Sequence, residues 1–269
     1  MYPVLFRIGS FPVNAYGLLF VVGFFGGFFL IRREFRVRGL PHDFASTVLI
    51  IGMISAIVGS RLFHVFENLS DYSGGNLINI FKGAGFSWYG GLLLSIATTI
   101  YAAHRENIHW SHVLDGCSPA VTIGYAFGRL GCFLSGDGCY GQPCSTIGVN
   151  WPSPFCMAFP NGATPTVNVV INTPIFEIAG AIALFVYLEL MQRRLKTPTT
   201  LFAHMIITHA VMRFFVEFIR INPKLALGLS QAQWLSIAGV GVGIWFIKMG
   251  PKIEVPVPKP PRKKFSKKR

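Results

Sequence analysis

Seven stretches of mostly apolar residues constrain the fold of this chain more than any other feature, because each is close to the roughly 20 residues that a bilayer-spanning helix needs. With 52% hydrophobic and only 13% charged residues, the chain is too apolar for an ordinary soluble domain. The pattern therefore predicts an all-α polytopic membrane protein with about seven transmembrane helices. The apolar runs are 16–31, 44–63, 86–103, 113–135, 175–191, 201–219 and 231–249.

The distribution of Lys and Arg predicts how these helices are oriented. Of the 24 Lys and Arg residues, 17 fall in segments that would face the cytoplasm, and none lies between Arg129 and Arg193. We therefore expect a periplasmic N-terminus and one transmembrane domain over 1–249, into which 136–172 is inserted as a small, loop-rich periplasmic head. Residues 250–269 carry eight Lys or Arg and are expected to form a disordered cytoplasmic tail that attracts anionic lipid headgroups, with no nucleic acid as partner.

Charged side chains inside the apolar runs mark a candidate site. Arg129 falls in the outer half of the fourth run, where a charge is costly and by default functional. In the sixth run and directly after it, His209, Arg213, Glu217 and Arg220 recur at helical spacing and share one face. Arg213 and Glu217 fit a structural ion pair, but two guanidinium groups that face one cavity also suit a phosphate. Gly131 and the glycines after it interrupt the fourth helix and let the backbone approach a ligand.

Three further polar residues are expected at the same membrane depth. Tyr16 and Tyr89 open the first and third spans from the outside, and Arg61 closes the second span on that side. The polar groups are therefore expected to converge near the outer face.

The stretch GRLGCFLSGDGCYG at 128–141 resembles the signature of the bacterial prolipoprotein diacylglyceryl transferase family, whose usual form is close to GRxGNFxNxExxG. Five further stretches occur in the family's order and extend the resemblance over nearly the whole chain except the basic tail. They are NAYGLL at 14–19, WYGGLL at 88–93, LDGCSP at 114–119, TPIFE at 173–177 and MRFFVEFIR at 212–220. Several matched blocks in one order are more specific than a single Gly-rich motif.

This resemblance implies an inner-membrane enzyme that moves the diacylglyceryl group of phosphatidylglycerol onto the lipobox cysteine of a preprolipoprotein, without a cofactor. A thioether forms and glycerol 1-phosphate leaves. By the resemblance, Arg129 and Arg213 bind the phosphate, Glu217 orients Arg213, and Asp115 and Glu177 have supporting roles. The residues expected to bind substrate are Tyr16, Arg61, Gly90, Gly91, Gly131, Asp137 and Glu217.

Departures from the family pattern affect the expected reaction centre. The family usually has His where this chain has Tyr89 and Asn where it has Cys132, and the motif gains a residue around 138–140. The general base is then Tyr89 or His209, although His209 fits a buried structural histidine equally well. Two alternatives stay open: a divergent paralogue that binds phospholipid without thiol transfer, and a small-solute transporter. The lack of a detectable internal repeat disfavours the transporter.

The cysteines leave a further alternative open. Cys139, Cys144 and Cys156 fall in the external segment, where the compartment permits disulfides. A disulfide such as Cys139 with Cys144 or Cys156 fits this placement, and so do reduced thiols. Metal binding by these three is not expected, because the segment contains no His.

Overall fold

The computed structural model describes residues 2–69, 87–195 and 197–250, apart from the side chains of Phe11, Trp88 and Tyr89. Most of these residues are helical. The α-helices are α1 Ala15–Val37, α2 Phe44–Glu67, α3 Trp88–Arg105, α4 Trp110–Ser135, α5 Cys144–Ile147, α6 Thr173–Met191, α7 Thr200–Val216 and α8 Gln231–Met249. Short 3₁₀ helices lie at Glu217–Ile219 and Ala226–Gly228, and the strands are β1 Val4–Ile8, β2 Phe11–Asn14, β3 Cys156–Phe159 and β4 Thr166–Ile171.

Five of the described helices are long and apolar enough to cross a membrane: α1, α2, α6, α8, and α7 with its 3₁₀ extension. Phe25 and Phe29 of α1 are 61% and 64% exposed, as expected for side chains that face lipid. α3 and α4 are 18 and 26 residues long but less apolar, and residue 86 of the third run lies outside the described residues. The all-α membrane class is confirmed, and the count of seven spans stays a prediction.

The described chain forms two compact units: a first unit of residues 2–31 with 114–250, and a second unit of residues 32–69 with 87–113. In the second unit, α2 and α3 meet through small residues. Gly59 and Gly90 touch backbone to backbone, since a Cβ added to either would overlap the other. A Cβ on Gly91 would lie 2.9 Å from the carbonyl oxygen of Ala56. Close approach through small residues is a common way for helices to pack in a membrane.

In the first unit, Asp115 near the start of α4 holds the N-terminus of α7. Its Oδ2 accepts a hydrogen bond from the backbone N–H of Thr199 at 3.0 Å, and its Oδ1 accepts one from Phe202 at 2.8 Å. The carboxylate is buried and also complements the positive end of the α7 dipole. This contact sets the register of α7 against α4, and with it the placement of the arginines that the two helices carry.

Segment 136–172 contains the antiparallel strands β3 and β4 and the short α5. A disulfide joins Cys144 to Cys156, and its buried sulfurs pack against Ile171. Cys139, which the sequence suggested as a partner, is reduced. Positive φ angles of 61° at Gly136 and 87° at Gly138 turn the chain back, so Cys139 lies beside the end of α4 and away from this pair.

Candidate active site

Five charged residues of the first unit form what we call the charge cluster: Arg129, Glu177, Arg213, Glu217 and Arg220. Glu177 Oε2 forms an ion pair with Arg129 Nε, and Glu177 Oε1 accepts a hydrogen bond from Arg213 Nη1, both at 2.6 Å. The other terminal nitrogen of Arg213 lies 2.8 Å from Glu217 Oε2. Arg220 is 3.7 Å from Glu177 and 3.8 Å from Glu217. Both carboxylates are fully buried, so α4, α6 and α7 are joined by ion pairs that solvent barely screens.

Neutral donors fix the second carboxylate of the cluster. Glu217 Oε1 accepts a hydrogen bond from Ser230 Oγ at 2.9 Å and another from Asn222 Nδ2. Glu177 is less saturated, because the N–H of Arg129 does not point at Oε2, and their contact is an ion pair without a hydrogen bond. Glu217 is therefore held by more hydrogen bonds than Glu177, while Oε2 of both carboxylates retains acceptor capacity.

The charge balance of the cluster favours an anionic ligand. Three guanidinium groups surround two carboxylates, so one positive charge is left over. Arg129 and Arg213 retain 20% and 25% side-chain exposure, whereas both carboxylates retain none. The accessible edge of the cluster is thus made of guanidinium groups, which bind phosphate or carboxylate oxygens through paired hydrogen bonds.

Tyr16 is positioned beside the signature helix by the β1–β2 hairpin, which the sequence analysis did not predict. The hairpin is tied to the end of α4 by a hydrogen bond from Tyr2 N–H to the carbonyl of Leu134 at 3.1 Å. Tyr16 then follows in the first turn of α1 and packs on Gly131, where an added Cβ would lie 2.9 Å from the ring. Gly131 is therefore required for the close approach of α1 to α4.

A second group of side chains lies at the end of α4, and we call it the thiol cluster: Cys132, Asp137 and Cys139. Their two sulfurs and a carboxylate oxygen all lie within 4.8 Å of one another. Asp137 Oδ1 accepts the backbone N–H of Cys139 at 3.2 Å. A hydrogen bond from the Cys132 thiol lowers the pKa of Cys139 to about 7, with help from the charge of Arg129 and against the effects of burial and of Asp137.

Comparison with known proteins decides the family. A model of the family described as prolipoprotein diacylglyceryl transferase matches residues 3–249, which is most of the chain. The chain belongs to the prolipoprotein diacylglyceryl transferase family. With the five apolar helices, this membership makes it a multi-pass membrane protein of a transferase family.

Curated relatives that match this chain over most of their length carry the name of the same family. A phosphatidylglycerol–prolipoprotein diacylglyceryl transferase of Leptospira interrogans is 30% identical over an alignment of 285 positions that covers 87% of this chain and 88% of the relative. A relative with the same name from Dehalococcoides mccartyi is 30% identical, and the match covers 91% of this chain and 92% of the relative. One from Geobacter sulfurreducens is 32% identical, and the match covers 87% of this chain and 89% of the relative. These names favour a transferase over a transporter or a non-catalytic paralogue.

His209, a candidate base in this family member, is half-buried on α7 in the first unit. Its Nε2 is 3.3 Å from Thr122 Oγ1, and its ring meets the ring of Tyr125 edge-on at a centroid distance of 5.2 Å. The guanidinium of Arg129 lies over the Tyr125 ring, 5.0 Å from its centroid. Tyr125 therefore connects the imidazole to the charge cluster.

Four of the expected site residues belong to the second unit: Arg61, Tyr89, Gly90 and Gly91. Arg61 is half-buried on α2. Tyr89 lies in the first turn of α3, but its side chain is outside the described residues. Gly90 and Gly91 face α2, and the packing described above accounts for both of them. Their expected role in lining the substrate pocket of the transferase stays a prediction.

Two residues are more central to the cluster than the sequence analysis expected. Glu177 was expected only to support the site, yet three arginines lie within 3.7 Å of it. Arg220 was expected on the same helix face as Arg213 and Glu217 but was given no role in the site, although it contacts both carboxylates. The spacing of Arg220 after Arg213 and Glu217 was the available signal.

Proposed function

We propose that this chain transfers the diacylglyceryl group of phosphatidylglycerol to the thiol of the lipobox cysteine of preprolipoproteins, the first step of lipoprotein maturation. The sulfur forms a bond to the terminal glyceryl carbon, the bond from that carbon to the phosphate oxygen breaks, and glycerol 1-phosphate leaves. The charge cluster carries this proposal, because it presents guanidinium groups with an excess positive charge in a chain of this family.

The arginines have a defined task in this reaction. The phosphate of the lipid carries one negative charge as a diester and develops a second one as it leaves. Arg129 and Arg213 bind this group through their exposed edges, and the buried Glu177 and Glu217 hold the two guanidinium groups in place. Donors that are fixed before the reaction stabilise developing charge without reorganisation, which makes such groups effective in a low-dielectric site.

The proton of the attacking thiol needs an acceptor. We assign this role to His209 or Tyr89, the two candidates that the sequence offers. His209 is linked to Arg129 through the ring of Tyr125. The site residues Tyr16, Gly131 and Asp137 lie with Arg129 around the end of α4, where the lipobox segment would enter.

An apolar cavity next to the charge cluster suits a lipid acyl chain. It has a volume of about 280 Å³ and runs between α6 and α7, starting one turn after Glu177. Its lining contains little polar surface, as an acyl chain requires. The lining residues are Gly180, Ala183, Leu184, Tyr187, Thr208 and Met212.

We place this enzyme in the bacterial inner membrane with a periplasmic N-terminus, a periplasmic 136–172 head and a cytoplasmic 250–269 tail. The distribution of Lys and Arg supports this orientation. A membrane-impermeant thiol reagent should label a cysteine introduced at Asn161 in intact cells, above the background of the native cysteines. It should label one introduced at Ser266 only after permeabilisation. The reverse pattern would overturn the orientation.

A transfer assay tests the function itself. Purified protein should add a diacylglyceryl group to a lipobox peptide when supplied with phosphatidylglycerol vesicles, and mass spectrometry should detect the thioether. A peptide with Ser in place of the lipobox Cys, and vesicles of phosphatidylethanolamine, are the matched controls and should give no product. If the protein binds phosphatidylglycerol vesicles but forms no thioether, the chain is a phospholipid-binding paralogue and the proposal is wrong.

A further inference from the structure

The thiol cluster has the donor set of a metal site. We propose that Cys132, Asp137 and Cys139 bind a thiophilic divalent cation, Zn²⁺ by the chemistry of these donors, and leave its fourth coordination position open. Among the described residues, these three are the only group of His, Cys, Asp or Glu side chains with this mutual proximity. Three protein ligands and one open position are the pattern of a catalytic zinc site, whereas structural sites are closed by four.

The spacing of the donor atoms suits zinc. In a tetrahedral site with bonds of about 2.0–2.3 Å, neighbouring donors are about 3.5–3.8 Å apart. The sulfurs of Cys132 and Cys139 and a carboxylate oxygen of Asp137 already lie within 4.8 Å of one another. The donor atoms therefore need to approach one another by only about 1 Å to complete the geometry.

The backbone that carries two of the ligands is firmly held. The left-handed conformation of Gly138 turns the chain between Asp137 and Cys139. The carbonyl of Cys139 accepts hydrogen bonds from Thr173 Oγ1 and, at 3.3 Å, from Arg220 Nη1. Ligands that a surrounding shell fixes in position lose little freedom when a metal binds.

The local charge also fits. Two thiolates and one carboxylate carry three negative charges, so the site with bound Zn²⁺ has one net negative charge. The positive charge of Arg129 acts on Cys139 and offsets part of this remaining negative charge. The positions that depart from the family signature are also the ones that supply the sulfurs, since Cys132 replaces Asn and Cys139 falls in the extra residue around 138–140.

The open coordination position of the zinc ion gives the metal site a role in the proposed function, and this role rests on that function: the position would bind the lipobox cysteine. A thiol that coordinates zinc loses its proton, so the lipobox cysteine would be held as a thiolate. Its sulfur then forms the bond to the glyceryl carbon as the carbon–oxygen bond to phosphate breaks. The proton passes to the general base or to the departing phosphate, and no oxidant or reductant is needed. A metal-bound thiolate accounts for transfer by a chain that has Tyr89 where the family has His.

Metal content tests the site without reference to activity. Full-length protein, purified in detergent under reducing conditions and supplied with Zn²⁺, should retain about one zinc ion per chain by elemental mass spectrometry. Co²⁺ should give a thiolate-to-cobalt charge-transfer band. Cys132→Ser, Cys139→Ser and Asp137→Asn should each lower zinc affinity about tenfold or more. Cys117→Ser, on the same helix as Cys132, should change neither signal.

The results that overturn the proposal are distinct from those that overturn the function. If reduced protein retains no zinc and gives no cobalt band, or if Cys132→Ser with Cys139→Ser binds both metals normally, the site does not exist. A Cys132–Cys139 disulfide that withstands reduction would also contradict it. If metal-free protein transfers at the full rate, the open position has no role but the proposed function stands. If metal-loaded protein transfers nothing, the proposed function fails while the metal site stands.

Discussion

The first and second units use the residues that the sequence singled out in different ways. In the first unit, Arg129 and Arg213 converge from two helices on the buried Glu177 and retain an accessible edge. In the second unit, Gly90 and Gly91 lie against α2 so closely that an added Cβ would meet backbone atoms. Residues from blocks of the same family pattern thus serve charge placement in one unit and helix packing in the other.

This difference gives a criterion for separating the two roles. Residues that act on an anionic ligand need an excess of positive charge and some exposure, and the charge cluster has both at Arg129 and Arg213. Residues that serve packing have no room for an added side-chain atom, as is the case for Gly59 and Gly90. The criterion predicts that substitutions in the first unit reduce activity and those between α2 and α3 reduce stability.

The largest stability effect is expected at Glu177, a residue of the first unit that does not follow this rule because it is fully buried. Glu177→Gln removes a fully buried carboxylate that contacts three arginines, so the cost should be about 3–5 kcal/mol, because positive charges are left uncompensated. Glu189→Gln, further along α6, is the matched control and should change stability little. Thermal unfolding of both variants in detergent measures the difference. Equal transition temperatures for both would show that Glu177 has no structural role.

A large effect on turnover is expected at His209 if it is the base. His209→Phe should then lower turnover by about 10²–10⁴-fold, the usual contribution of a general base. His204→Phe is the control, because His204 lies on the same helix and pairs with Tyr187 instead. If His209→Phe is fully active while Tyr89→Phe is inactive, the base belongs to the second unit and Tyr89 carries the role.

A smaller effect, on stability alone, is expected between α2 and α3. Gly59→Ala places a methyl group against the backbone of Gly90 and the Cβ of Leu94, so it should cost about 1–3 kcal/mol by overpacking. Gly52→Ala, on the same helix, meets nothing within 4 Å and should be neutral or slightly stabilising. Equal unfolding temperatures for the two variants would mean that these helices do not pack as closely as described.

The sequence predicted the parts of the site that depend on local pattern. Arg129 stood out as a charge in an apolar run, and Arg213 and Glu217 stood out by their helical spacing. The central position of Glu177 was missed, because its partners are brought to it by the packing of α4 and α7 and not by neighbouring sequence.

Cysteine pairing and the glycine contacts also depended on tertiary structure. The proximity of Cys139 to Cys132 depends on the left-handed turns at Gly136 and Gly138, which spacing alone does not reveal. The motif predicted Gly90 and Gly91 as pocket residues, and their packing role is visible only once α2 places Gly59 against Gly90 and Ala56 against Gly91. The long apolar runs predicted the helices, but a sequence pattern does not show which distant segments are in contact.

The central claim is that the arginines of the charge cluster serve the reaction, and turnover of their variants tests it most directly. Arg129→Ala and Arg213→Ala should each lower transfer from phosphatidylglycerol to a lipobox peptide by at least about 10²–10³-fold, with normal membrane insertion. Lys at either position should recover little, because it lacks the planar fork of the guanidinium. Arg193→Ala, just beyond the end of α6, is the control and should transfer normally. Near-normal turnover of well-inserted Arg129→Ala or Arg213→Ala would contradict the account.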